Sequence, residues 1–250
     1  ALLQMRSSLA ENERELEGKV EERTEELARQ KARAEEILGD LQDSISYALR
    51  IQQAILPSDQ ERQEVLDHSA VFYQPRDVVS GDFYWFKSVG SRRMFAAIDC
   101  TGHGVPGAFL SLVGHNALDR VTKVYTEPHK VLDKLNEHVL NLLRKDIRTE
   151  ANIPAELLRD LSLPTETGSD NFIGGQDGMD LAMVAINWEL MKVEFAGANN
   201  PLYLVREGAL QEFKADKFAI CSFEPGTKNY AVQTVDVQSG DTLFLATDGF

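Results

Sequence analysis

The sequence has few of the features that mark secreted or membrane-spanning proteins. It contains two cysteines in 250 residues, and Cys100 and Cys221 lie far apart without the spacing of metal ligands. This excludes a disulfide framework and indicates a reducing compartment. No apolar run approaches the roughly 20 residues of a membrane span, and no signal peptide is visible. We expect a cytoplasmic protein, attached to a membrane only if segments upstream of this chain provide an anchor.

Basic residues are also scarce. The chain has 26 Lys and Arg against 40 Asp and Glu, which gives a net charge of −14. A phosphate backbone attracts the opposite sign, so this balance argues against nucleic acid as a partner. The negative net charge fits a protein that binds cations. The hydrophobic content of 43% is sufficient for a core, and the length suits one α/β domain with an appendage.

Proline is absent from the first 56 residues, and glycine occurs there only at Gly18 and Gly39. Together with the dense charge, this predicts one long helix. Its apolar residues form a seam in which Arg23 and Gln30 fill weak, polar positions. The other seam residues are Leu16, Val20, Leu27, Ala34, Leu38, Leu41, Ile45, Ala48, Gln52 and Ile55.

This seam contains an extra four-residue step between Ala34 and Leu38. Such an insertion locally unwinds a coiled coil, and a polar, interrupted seam shifts between two packings more easily than a uniform one. We interpret residues 1–56 as a regulatory helix that forms a parallel homodimer. The alternative is a helix packed on the surface of its own domain.

Beyond Pro57 the pattern changes to a mixture of strands and helices. Two helices are predicted, one beginning near Pro106 and one at Pro128. Residues 150–178 read as a loop with one short helical piece. Strands are predicted at 69–74, 82–87, 94–98, 181–186, 192–195, 202–205, 231–235 and 242–246. This order predicts an α+β domain at 57–250, with helices packed on sheet faces.

Three aspartates lie beside glycines at positions where a chain usually turns: Asp82, Asp99 and Asp248. Asp99 and Asp248 end apolar strands, so their carboxylates could meet at one rim of a sheet. Clustered carboxylates repel one another unless cations bind between them. Oxygen ligands select Mg²⁺ or Mn²⁺ over zinc. Taken singly, each Asp-Gly is most simply a turn, so spacing alone does not establish the site.

Five ordered motifs resemble those of the PPM superfamily of metal-dependent phosphatases, and in particular its bacterial SpoIIE/RsbU-type branch. They are SGDFYW at 80–85, DCTGHGVPGA at 99–108, DGMDLA at 177–182, FAGANNPL at 195–202 and ATDGF at 246–250. Residues 43–57 also resemble the helix that precedes such a domain. The resemblance covers roughly residues 43–250.

The resemblance implies an α-β-β-α sandwich with a centre of two Mn²⁺ or Mg²⁺ ions on one edge. By motif position, Asp82, Asp99 and Asp248 are metal ligands, with Asp99 bridging. The backbone carbonyl of Cys100 is a further ligand, so the Cys100 side chain should matter little. The family has another metal-binding aspartate downstream of the last motif. This position lies beyond Phe250, so we expect the domain to lack its C-terminal end.

Other residues are open to two interpretations. His103 could protonate the departing serine oxygen as a general acid, or could support the glycine-rich turn by hydrogen bonding. Arg76 could bind a phosphate in a bidentate manner, or could pair with Asp77. Asp180 could bind metal, or could cap and orient its surroundings.

The activity implied is hydrolysis of phosphoserine or phosphothreonine by a metal-activated water, without a phosphoenzyme. The implied substrate is a phosphorylated anti-sigma-factor antagonist of the STAS type. Residues 21–27 resemble the signalling helices that link bacterial sensor domains to output domains, which implies an upstream sensor. We expect a shift in the helix seam to reposition Asp82 or Asp99 and so to set metal affinity.

Three rival functions remain open from the sequence. One is a catalytically incomplete module that dimerises and binds phosphoproteins. The second is a fragment of a histidine kinase, which is disfavoured because the first histidine, His68, follows the proline break. The third is a carboxylate-metal hydrolase of small phosphoesters.

Overall fold

The computed structural model describes residues 2–144 and 178–249 of the chain, and the side chains of residues 14–143 and 178–249. The chain divides into two compact units, Ala1–Ala48 and Leu49–Phe250. The predicted loop at 150–178 lies almost entirely outside the described residues. No helix in the described ranges is both long and apolar enough to span a bilayer.

The first unit consists of the helix α1 (Leu2–Ile55), whose last turns belong to the second unit. Exposed ion pairs at helical spacing, such as Lys19 with Glu15 at 2.7 Å, line its surface. The seam residues from Leu16 to Leu41 are exposed, and the Leu27 side chain is 64% exposed. The long predicted helix is therefore confirmed, and its seam is available to a partner.

After the last turns of α1, the second unit contains a short helix that was not predicted from the sequence. Helix α2 (Asp59–Val65) starts with a capping box, in which Ser58 and Glu61 exchange hydrogen bonds. This Ser-x-x-Glu spacing was a readable signal. The buried Arg62 then donates to the carbonyl and hydroxyl of Ser69. The predicted strand at 69–74 is wrong, because this segment pairs with no strand among the described residues.

In the described residues, two antiparallel sheets and two helices longer than α2 form the body of the domain. The elements after α2 are β1 (Phe83–Val89), β2 (Arg92–Cys100), α3 (Gly104–Val121), α4 (Pro128–Arg144), β3 (Met179–Asn187), β4 (Lys192–Ala198), β5 (Leu202–Arg206), β6 (Ala209–Phe213), β7 (Gln233–Asp236) and β8 (Thr242–Leu245). One sheet has the order β1-β2-β3-β4-β7, and the other β6-β5-β8. Strand β6 was not predicted because its side chains are mostly exposed and show no alternation.

The larger sheet carries a core on each face, because successive residues of a strand point to opposite sides. Ile98 and Leu181 pack with helices α3 and α4. Val184 and Phe195 pack instead with Leu204 of the smaller sheet. The described part of the domain therefore has three layers, which are helices α3 and α4, the larger sheet and the smaller sheet. The α+β fold predicted from the sequence is confirmed.

Candidate metal centre

The strand register brings carboxylates together at one end of the larger sheet. Phe83 of β1 is opposite Ile98 of β2, so Asp82, one residue earlier, comes level with Asp99. Cys100 is part of the helix-side core, so its neighbour Asp99 faces the smaller sheet. Asp248 follows β8 of that smaller sheet. The two sheets thus deliver the three predicted aspartates to the same edge.

The three carboxyl groups lie close enough to interact with one another through Asp99. The pKa of Asp99 is raised from 3.8 to about 8, first by burial and then by the charges and hydrogen bonds of Asp82 and Asp248. A carboxyl surrounded in this way keeps a proton in the absence of a cation, because a second negative charge nearby disfavours ionisation. Bound divalent ions would relieve this repulsion.

Asp82 is held by three hydrogen bonds from different parts of the chain. Thr247 Oγ1 donates to Asp82 Oδ2 at 3.0 Å, which links the carboxylate to the segment carrying Asp248. The Asp82 backbone N–H donates to Ser80 Oγ at 3.0 Å, and its carbonyl accepts from the Tyr73 hydroxyl at 3.1 Å. These contacts hold both the carboxylate and the backbone of Asp82 in place.

Gly81 allows the Asp82 loop to lie directly against the Asp99 loop. A Cβ added at Gly81 would lie 2.7 Å from the carbonyl oxygen of Gly102 and 2.8 Å from that of Cys100. Only glycine fits at such a distance. The Cys100 carbonyl, which the resemblance implies as a ligand, thus lies beside the residue that precedes Asp82. Its thiol is buried, and burial raises the pKa well above the usual range, so the thiolate that metals require is disfavoured.

The donor set fits hard divalent ions. Asp82, Asp99, Asp248 and the Cys100 carbonyl supply oxygen only, which is the chemistry of Mg²⁺ and Mn²⁺ sites. Within the described ranges, no three His, Cys, Asp or Glu side chains lie close enough together to hold one ion in common. The Asp99 carboxyl interacts with the side chains of both Asp82 and Asp248. A role for Asp99 in bridging two ions stays a prediction.

His103 and Arg76, the two candidates for contact with substrate, differ in their surroundings. His103 Nδ1 lies 2.8 Å from Asp77 Oδ2, which joins the loop before Asp82 to the loop after Asp99. Arg76 is exposed and makes no ion pair with any described residue. Asp77 therefore pairs with His103 and not with Arg76, which leaves the Arg76 guanidinium available to a phosphate.

Asp180 lies opposite Asp99 in the ladder between β2 and β3. It accepts a hydrogen bond from Asn199 Nδ2 at 2.8 Å. Asn199 has a positive φ of 60°, a conformation that asparagine tolerates better than most residues. The structure thus gives Asp180 an orienting contact. A role as metal ligand stays a prediction.

Gln52 is a residue of this region whose importance the sequence analysis did not recognise. It was assigned to the helix seam, yet its side chain is buried in the second unit. Its Nε2 donates to the Ser80 carbonyl at 2.6 Å and to Ser111 Oγ at 3.0 Å, and its Oε1 accepts from the Ser80 N–H at 3.0 Å. The only feature of the sequence that pointed to this role was that Gln52 is a polar residue in a series of apolar ones.

Comparisons with known proteins agree with this geometry. A family model described as Stage II sporulation protein E (SpoIIE) matches residues 90–250. A search of curated protein sequences gave no match.

Among solved structures, the chain is similar to the SiaA-PP2C domain of Pseudomonas aeruginosa, with a TM-score of 0.64 and 28% identity over 85% of this chain and 73% of that chain. It also matches the PP2C phosphatase domain and regulatory-domain fragment of SpoIIE from Bacillus subtilis, with a TM-score of 0.48 and 18% identity over 68% of this chain and 41% of that one.

Proposed function

Because this chain belongs to the SpoIIE family and has the fold of PP2C-type phosphatases, we propose that it is a metal-dependent protein serine/threonine phosphatase. The observation that carries the proposal is the meeting of Asp82, Asp99 and Asp248 at one edge of two sheets. The substrate would be phosphoserine or phosphothreonine on a regulatory protein, and the resemblance implies one of the STAS type.

Two bound Mn²⁺ or Mg²⁺ ions would supply an activated water and neutralise the phosphoryl charge. The chain itself provides the scaffold. Asp82, Asp99, Asp248 and the Cys100 carbonyl hold the cations, and Thr247 keeps the Asp82 carboxylate oriented. Beside Asp82 lies a cavity of about 180 Å³ whose lining includes Tyr73, Pro75 and Tyr84. This cavity offers room for the residue that carries the phosphate.

Two side chains are suited to the substrate itself. Arg76 is exposed and available for a phosphate oxygen. His103 is exposed at the start of α3 and is assigned the role of general acid for the departing serine oxygen. A thiol nucleophile is disfavoured, because Cys100 and Cys221 are both buried.

Control through a dimeric helical linker is the second part of the proposal. The exposed seam of α1 is suited to pairing with a second copy. The last turn of the same helix carries Gln52, whose amide is hydrogen-bonded to the backbone of Ser80, two residues before Asp82. A change in the packing of α1 would therefore act on the loop that positions a metal ligand. A sensor upstream could bias one of the two packings.

The test is Mn²⁺-dependent hydrolysis of a phosphoserine peptide by this chain, with Asp99→Asn as the matched control. We expect turnover that requires Mn²⁺ and is lost in Asp99→Asn. Equal rates for the two proteins would overturn the proposal. Absence of turnover together with tight binding of the phosphopeptide would favour the alternative, a catalytically incomplete dimerisation and phosphoprotein-binding module. Preference for nucleotides over the peptide would indicate a hydrolase of small phosphoesters.

A further inference from the structure

The hydrogen bond between His103 and Asp77 joins the two loops that carry the predicted metal ligands. The residues are 26 positions apart in the chain, and the Nδ1 to Oδ2 distance is 2.8 Å. Asp77 precedes Asp82 by five residues, and His103 follows Asp99 by four. The loops also touch through their backbones at Gly81 and Gly102. The imidazole is therefore anchored across the mouth of the site.

The surroundings of the two side chains leave the His103 imidazole accessible. His103 is the N-cap residue of α3, but its side chain makes no capping hydrogen bond. The Asp77 carboxylate lies near the start of the same helix, since a Cβ added at Gly104 would be 3.6 Å from Asp77 Oδ2. The side chains of His103 and Asp77 are 72% and 39% exposed. A protein substrate can therefore reach the imidazole, while the carboxylate is partly shielded behind it.

We propose that Asp77 is a positioning residue that orients His103 for proton transfer to the leaving group, a role that rests on the proposed phosphatase function. A carboxylate on Nδ1 fixes that nitrogen as the donor of the pair, so Nε2 becomes the atom that faces the substrate. The protonated imidazole carries a hydrogen on Nε2, and this is the proton that the step transfers.

Two bonds to phosphorus change in the step, and two protons move. The oxygen of water forms a new bond to phosphorus, and the bond from phosphorus to the serine oxygen breaks with its electron pair on the serine oxygen. That oxygen takes the proton from His103 Nε2. The proton lost by the water passes to solvent, and solvent reprotonates His103. Asp77 takes up no proton in the step and keeps the imidazole in place through its hydrogen bond to Nδ1.

Leaving-group dependence separates this role from a structural one. Serine alkoxide is a poor leaving group that needs a proton, whereas p-nitrophenolate leaves readily as an anion. General-acid catalysis contributes roughly 10²–10⁴-fold. We expect Asp77→Asn to lower kcat for a phosphoserine peptide about tenfold or more, and to leave kcat for p-nitrophenyl phosphate close to that of the parent. Asp67→Asn, the same change at an exposed aspartate, is the control and should alter neither rate.

A double-mutant cycle with His103→Gln completes the test. If Asp77 acts through His103, the double variant is no slower on the peptide than His103→Gln alone. Three results would each overturn the positioning role. The first is an equal loss of kcat on both substrates, and the second is an additive loss of kcat in the double variant. The third is an unchanged kcat on the peptide in Asp77→Asn. Failure of the proposed function is a different result, in which the parent hydrolyses neither substrate with Mn²⁺. In that case the positioning role falls as well. Melting temperatures and Mn²⁺ affinities of all variants are measured alongside.

Discussion

Gln52 and Ser80 form a pair of hydrogen bonds that connects the end of the long helix to the metal-centre loop. The amide of Gln52 donates to the Ser80 carbonyl at 2.6 Å and accepts from the Ser80 N–H at 3.0 Å. Ser80 Oγ in turn accepts from the Asp82 N–H. Gln52 of α1 is thus linked through Ser80 to Asp82, a predicted metal ligand. Gln52 and Ser80 are both buried.

The first prediction concerns this link. Gln52→Ala leaves the buried N–H and carbonyl of Ser80 without partners, which should lower the free energy of unfolding by about 1–3 kcal/mol. It should also weaken Mn²⁺ binding, because the loop that orients Asp82 loses its support. Urea denaturation and titration calorimetry with Mn²⁺ measure the two effects. Gln53→Ala, at the exposed neighbouring position, serves as the control. Unchanged Mn²⁺ affinity in Gln52→Ala would contradict the link.

The second prediction concerns the contact between the two loops. Gly81→Ala places a methyl group within 2.8 Å of the carbonyl oxygens of Cys100 and Gly102. The backbones must separate, so we expect loss of both Mn²⁺ binding and phosphatase activity. Gly39→Ala is the control, since nothing lies within 4 Å of its Cβ position. This helix substitution should leave activity intact and stabilise α1 by up to about 1 kcal/mol. An active, metal-binding Gly81→Ala would show that the close approach is unnecessary.

The third prediction concerns pH. The pKa of Asp99 is raised to about 8 by burial, then by Asp82 and Asp248, whereas in the unfolded chain it is about 3.9. Between these values the folded metal-free protein binds more protons than the unfolded chain. The contribution of Asp99 to the stability is therefore full below about pH 4 and is lost as the pH rises through about 8. Urea midpoints across this window should show the decline in the parent and a flatter profile in Asp99→Asn.

The same proton should be released when metal binds. Calorimetric titration with Mn²⁺ in two buffers of different ionisation enthalpy measures the number released. Identical apparent enthalpies in the two buffers, or equal pH profiles for the parent and Asp99→Asn, would show that Asp99 is already ionised in the metal-free protein.

The fourth prediction concerns the helix seam. Replacing Arg23 and Gln30 with leucine fills the two polar positions, so sedimentation should show tighter dimerisation, because a continuous apolar seam buries more surface. One packing should then predominate, and phosphatase activity should change by more than about twofold. Arg29→Leu, outside the seam, is the control for an added leucine. Tighter dimerisation with activity unchanged would separate pairing from control of the active site.

Some features of this protein follow from the sequence because they depend on local chemistry. Helix α1 could be predicted from the absence of proline and the dense charge before Pro57. Strands β2 and β3 could be predicted from the apolar runs around Ile98 and Leu181. The ordered glycine and aspartate motifs were sufficient for the family. Segment 69–74 was predicted as a strand from its alternating apolar residues, but a strand also needs a neighbouring strand to pair with, and this alternation does not supply one.

The tertiary structure alone decided which of these residues meet. Sequence spacing does not fix the register of β1 on β2, and that register brings Asp82 level with Asp99. Nor does it show that Gln52 leaves the seam to bind Ser80, or that Asp77 pairs with His103 and not with Arg76. These contacts join residues far apart in the chain, and they form only when packing of the two sheets and the helices holds distant loops at fixed distances.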